Sequence, residues 1–113
     1  MTAFISGPIT KRLKTYQYAF SDAQMVLEFL GYKVLNPAWL PKGLKDKDYE
    51  TVNDAMLSVA DTIVLLPGWE KSPGARREAR LAEELGKTIV IYEQVGHMAA
   101  KKGIMGDDGA ETV

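Results

Sequence analysis

An α/β domain on a four-stranded parallel sheet of order 2-1-3-4 is the fold this sequence predicts, and three observations predict it. Four short apolar runs alternate with segments of helical period. The runs are nearly continuous, as in strands buried on both faces. The first three stop at a proline within two residues of their end.

Thr2 to Ser6 is the first such run, closed by Gly7-Pro8. From Lys11 the period changes: Leu13, Tyr16, Phe20, Ala23, Leu27 and Leu30 recur at three- and four-residue steps, which predicts an amphipathic helix ended by Gly31. Tyr32 to Leu35 reads as the second strand, closed by Asn36-Pro37. Residues 36–47, with Pro37, Pro41 and Gly43, read as a loop. A second helix is expected next, with Tyr49, Val52, Met56 and Val59 on one face. Thr62 to Leu66 makes the third strand and ends at Pro67-Gly68. The third helix has Ser72 as N-cap, Pro73 at its first position and Gly86 as its stop. Its expected buried stripe is Leu81, Ala82 and Leu85. Thr88 to Tyr92 is the fourth strand.

Strands alternating with helices imply right-handed crossovers, helices on both faces and a doubly wound sheet. Chain direction reverses between strands one and three, and ligands of such sheets bind at the carboxyl ends there. The loops facing that crevice are Gly7-Pro8-Ile9-Thr10 and Gly68-Trp69-Glu70-Lys71-Ser72-Pro73-Gly74, both rich in residues that let backbone approach a ligand. The organisation expected is a single domain over residues 1–95 and a flexible tail over 96–113.

Composition narrows the function. The chain has 113 residues, 46% apolar and 26% charged, ordinary for one soluble domain. A net charge of −1 argues against binding nucleic acid polymers or anionic membranes. Without cysteine, and with the single histidine His97, thiolate chemistry, cysteine-based zinc sites and the usual Ser-His-Asp triad are excluded. No metal or organic cofactor is implied. No signal-peptide run opens the chain and no stretch nears about 18 apolar residues, so a cytoplasmic protein is expected.

Glu78 is the residue that points to chemistry. Residues three or four apart on a helix share a face, and Glu78 lies in line with the apolar stripe. Glu83 and Glu84 can each reach Arg80 and Lys87, whereas Glu78 neighbours Gly74, Ala75, Leu81 and Ala82. A carboxylate on a buried face is costly unless something pairs with it. Two readings follow: a ligand cavity, or a partner donor from elsewhere in the fold.

Ile5-Ser6-Gly7-Pro8-Ile9-Thr10, then Asn36-Pro37-Ala38, then Ala60 to Glu78 with its Leu66-Pro67-Gly68-Trp69-Glu70 and Ser72-x-Gly74-Ala75-x-x-Glu78 elements, carry a resemblance. Over roughly residues 3–92 the chain resembles the nucleoside 2-deoxyribosyltransferase-like superfamily, whose members transfer 2-deoxyribose between bases or hydrolyse the N-glycosidic bond of nucleoside 5′-monophosphates. The resemblance implies Glu78 as the nucleophile, forming a glycosyl ester that water or a second base resolves. It also implies a substrate-binding set of Ser6, Gly7, Pro8, Ile9, Asn53, Asp54, Gly68, Trp69, Ser72 and Gly74. The partners implied are a small nucleoside or nucleotide and further copies of the chain, a homodimer or larger.

Four positions depart from or qualify that pattern. Ser72, six residues before Glu78, matches the serine that holds the 5′-phosphate in the hydrolases, and it is equally a plain N-cap. Pro8 and Thr10 stand where the hydrolases have a serine and an arginine, with Lys11 or Arg12 as candidate substitutes. Asn53 stands where the family has an aspartate, with Asp54 beside it; one residue on a helix turns a side chain by about 100°. Asparagine can hydrogen-bond a hydroxyl but cannot transfer a proton. The alternative is therefore a non-catalytic nucleotide-binding or sensor domain that keeps the pocket. Asp61 reads more readily as a turn residue than as a site residue. Trp69 is balanced between stacking on a base and packing. Tyr16 and Phe20 read as core, and Lys11, Arg12, Lys14, Arg76, Arg77 and Arg80 as solvated or subunit-facing cations.

Overall fold

A computed structural model describes residues 1–9 and 15–95. Thr10 to Lys14, including Lys11, Arg12 and Leu13, and the expected tail over 96–113 with His97 lie outside the described residues.

Strands β1 (Thr2–Ser6), β2 (Lys33–Leu35), β3 (Thr62–Leu65) and β4 (Thr88–Ile91) form one sheet of order β2-β1-β3-β4. Every pairing is parallel, with Ala3 opposite Val34 and Thr62, and Ile63 opposite Ile89. This is the expected α/β arrangement. Helix α1 (Tyr16–Phe29) covers one face; α2 (Asp46–Val59) and α3 (Pro73–Glu84) cover the other.

Strand alternation sorts the core into two clusters. Ala3, Ile5 and Val64 pack with Tyr16, Phe20, Ala23 and Leu27 of α1. Phe4, Ile63 and Leu65 point the other way and pack with Leu57 of α2 and Ala82 of α3. By the same alternation Ser6 projects with Phe4 toward α2 and α3. That places a hydroxyl at the carboxyl end of β1, on the face that α3 covers.

Local chemistry explains the boundaries. Gly31 and Gly68 adopt φ values of 99° and 88°, which favour glycine; the first ends α1 and the second turns the chain after β3. The Asn36 side chain accepts from Ala38 N–H at 2.9 Å and donates to Gln24 at 2.9 Å. It thereby caps a short 3₁₀ turn, Pro37–Trp39, inside the expected loop, and ties that turn to α1. Asp61 accepts from Thr2 N–H at 3.1 Å and from the Thr62 hydroxyl at 2.9 Å. These bonds hold its carboxyl below the ordinary range and join the start of β1 to the start of β3. It is a structural residue, as the turn reading has it.

Two helix faces differ from expectation. In α2 the inward residues are Leu57, fully buried, with Asn53 and Met56 partly buried, while Val52 and Val59 are exposed, Val59 by 72%. The helix carries two apolar stripes, and the one containing Leu57 and Ala60 meets Phe4 and Ile63. In α3 the buried residues are Ala75, Glu78 and Ala82; Leu81 is half-buried and Leu85 is 49% exposed. Of the expected stripe Ala82 is fully buried and Leu81 packs against the same cluster; Ala75, seven residues before Ala82, completes the contact surface, and Leu85 lies past the helix end.

Candidate functional site

Glu78 is the one charged residue among the buried residues of the described chain, at 7% exposure. Its position follows from how α3 begins. Gly68 reverses the chain, a single 3₁₀ turn, Trp69–Lys71, follows, and the Ser72 hydroxyl accepts from Ala75 N–H at 3.3 Å as N-cap. Pro73 starts the helix, and Glu78 falls in its second turn, facing the sheet.

Three elements meet at its carboxylate. The Ser6 hydroxyl of β1 donates to Oε1 at 2.6 Å, and the Asn53 amide of α2 donates to Oε2 at 3.2 Å. Both partners are neutral. Among the described residues the cation that bears on it, Arg77, is engaged elsewhere: its guanidinium spans the Asp54 carboxylate with contacts of 2.7 and 3.3 Å, and Glu50 lies 3.9 Å from Nε. Burial pushes the Glu78 carboxyl above its ordinary range, against the lowering effects of the Ser6 and Asn53 hydrogen bonds and of Arg77. A buried carboxylate with two neutral donors and, among the described residues, no ion pair is an energetically exposed group of the kind functional sites retain.

Ser6, Asn53 and Glu78 thus come together, although 72 and 25 residues separate them from one another in sequence. Asp54 is adjacent but bound in the Arg77 pair, so it does not stand in for Asn53. Ser72 and Gly74 lie on the turn that opens α3, and a side chain added at Gly74 would meet open space. Trp69 packs against the α2/α3 cluster, the packing alternative of its two readings. Pro8 and Ile9 lie on the opposite side of the sheet: Ile9 packs with the α1 cluster, and Pro8 lines a pocket of about 90 Å³ with Tyr16, Ala19, Phe20, Leu66 and Pro67. Glu78 is not among that pocket's lining residues.

Gly7 has a different reason from the one expected. A Cβ there would lie 2.9 Å from Leu66 Cβ, so the missing side chain admits a neighbouring residue of the core. Gly7→Ala is expected to destabilise the domain by about 1–3 kcal/mol through overpacking, read as a lower denaturant midpoint with an unchanged m-value.

Arg77 is the residue whose place the sequence did not reveal. It bridges α3 to α2 beside Glu78, yet its partners lie 23 and 27 residues away on another helix, beyond any local spacing rule. Among the described residues no cluster of three His, Cys, Asp or Glu side chains could hold a metal ion. No described helix is long and apolar enough to cross a membrane.

The architecture is a parallel α/β domain with a carboxylate buried near the carboxyl end of its central strands. Residues 1–91 match the family described as Domain of unknown function (DUF4406), and the chain belongs to that family. No curated protein matches the chain.

Proposed function

We propose that this protein cleaves, or transfers across, the N-glycosidic bond of a small nucleoside or nucleoside 5′-monophosphate, with Glu78 as nucleophile. The observation that carries the reading is a buried carboxylate held by Ser6 and Asn53, with no ion pair among the described residues. Neutral donors orient the group and leave its charge free to stabilise an oxocarbenium-like transition state. A Glu78 oxygen bonds to the anomeric carbon as the C–N bond breaks. The bond's electron pair leaves with the base nitrogen, which takes a proton from water. Water, or a second base, then displaces Glu78 and regenerates the carboxylate.

The Ser72 hydroxyl accepts one bond as N-cap and retains its proton for another partner. With the first turn of α3 it supports a 5′-phosphate at that end of the substrate. The reading also places the protein in the cytoplasm as a homodimer or higher oligomer, the exposed Tyr18, Met25 and Phe29 of α1 offering apolar surface for association.

One observation favours a second reading, a nucleotide-binding sensor without catalysis. Asn53 transfers no proton, and Asp54 is tied to Arg77, so no acid from α2 stands beside Glu78 to protonate a leaving base. Incubation with a panel of nucleosides and 5′-monophosphates, followed by chromatography for free base, separates the two. Free base is expected; ligand-induced thermal stabilisation with no base released favours the sensor, and the absence of both base release and stabilisation overturns both readings.

A further inference from the structure

The Asn53 side chain has one end occupied and one end bare. Its Nδ2 donates to Glu78 Oε2 at 3.2 Å, while its Oδ1 is buried without a hydrogen-bond partner. Rotating the amide by half a turn does not help, because the bare end would then be an N–H and the carboxylate would face an oxygen. An ionised carboxylate only accepts, so the amide nitrogen must face it and the carbonyl must face away. The partner this carbonyl lacks is therefore a hydrogen-bond donor. Among the described residues the neighbouring cation, Arg77, is taken up by Asp54 and Glu50.

Stereochemistry narrows the donor. In a β-nucleoside the base leaves from one face of the sugar and the nucleophile approaches the other. The 2′-hydroxyl of ribose lies on that second face, on the carbon next to the one attacked. At an attack distance of about 3–3.5 Å this hydroxyl falls beside the nucleophilic oxygen, where the Asn53 amide sits. The ring oxygen on the other side carries no proton, and the 3′-hydroxyl is one carbon further away. Hydrogen bonds to a 2-hydroxyl strengthen as the glycosidic bond breaks.

We propose that Asn53 is a specificity-determining residue that accepts the 2′-hydroxyl of a ribosyl substrate and so favours ribosides over 2-deoxyribosides. The inference rests on Glu78 acting as nucleophile. An aspartate at this position would add a like charge beside Glu78; asparagine supplies the acceptor without it.

The test compares kcat/KM for matched ribo-, 2′-deoxy- and 3′-deoxy-nucleosides and their 5′-monophosphates in the full-length protein. Because Asn53 also orients Glu78, absolute rates fall in its variants, and the informative readout is the riboside to 2′-deoxyriboside ratio. Asn53→Ala is expected to lower that ratio by about tenfold or more, the effect of removing one acceptor and stranding a donor. Asn53→Asp, which keeps an acceptor, should hold the ratio near the wild-type value, and the 3′-deoxy ratio should move less than threefold (roughly, for an uncontacted hydroxyl). If Asn53→Ala does not fold, Asn53→Ser, which draws the polar group back by one bond from the Oδ1 position, serves in its place. A ratio unchanged on truncation, or a wild-type protein that favours the 2′-deoxy substrates, overturns the inference while leaving the Glu78 reading intact. Base release from neither class overturns both.

Discussion

Glu78→Gln is expected to lower base release by at least about a thousandfold and at the same time to stabilise the fold. Both effects come from the same feature. The wild-type carboxylate is buried, bonded only to neutral donors, and raised in pKa by that burial. A raised folded-state pKa means the native protein holds its proton more tightly than the unfolded chain does. The Glu78 contribution to stability is then greatest below the ordinary carboxylate range and declines as pH rises through the folded-state value. Glutamine carries no charge at any pH, and the Asn53 amide can turn its bare carbonyl toward the new N–H. The variant should therefore exceed wild type by about 0.5–2 kcal/mol at neutral pH, and the gap should close on acidification. Activity has the opposite slope: the nucleophile must be ionised, so wild-type kcat/KM should rise with pH through a value above the ordinary glutamate range. A variant less stable than wild type at every pH would mark Glu78 as a structural bracket between β1, α2 and α3.

The second large effect concerns how α2 sits on the sheet. Leu57→Ala should cost about 2–5 kcal/mol, as truncation of a filled core position does, because Leu57 is fully buried among Phe4, Ala60, Ile63 and Leu65. Val59→Ala, two residues on, should change stability by less than about 0.5 kcal/mol, since Val59 is 72% exposed. Urea denaturation of the two variants side by side reads this directly. The reverse ranking would mean that α2 presents its Tyr49-Val52-Met56-Val59 face inward and that Asn53 points away from Glu78.

That contrast shows what the sequence could and could not reveal. The sheet order was legible because each apolar run is short, continuous and stopped by local chemistry, and right-handed crossovers leave little choice afterward. Glu78 was legible as an acid in line with a buried stripe. The orientation of α2 was not, because apolar residues occur on two of its faces and periodicity does not rank them. The winning face also contains Asn53, a polar residue whose burial makes sense only once the Glu78 carboxylate is opposite it. In α3 the periodicity placed Ala82 and Leu81 on the contact stripe correctly but extended it to Leu85, which lies past the helix end, and passed over Ala75. Arg77 offered no local signal, since its acidic partners come from another helix. Gly7 was legible as special but not for its reason, which is the approach of Leu66.

The most direct measurement of the central claim is mass spectrometry of protein quenched in acid during turnover of a nucleoside or its 5′-monophosphate. A glycosyl ester on the peptide containing Glu78, absent from Glu78→Gln, is the predicted result. Free base accumulating while Glu78 stays unmodified, or an adduct on a different carboxylate, would contradict it.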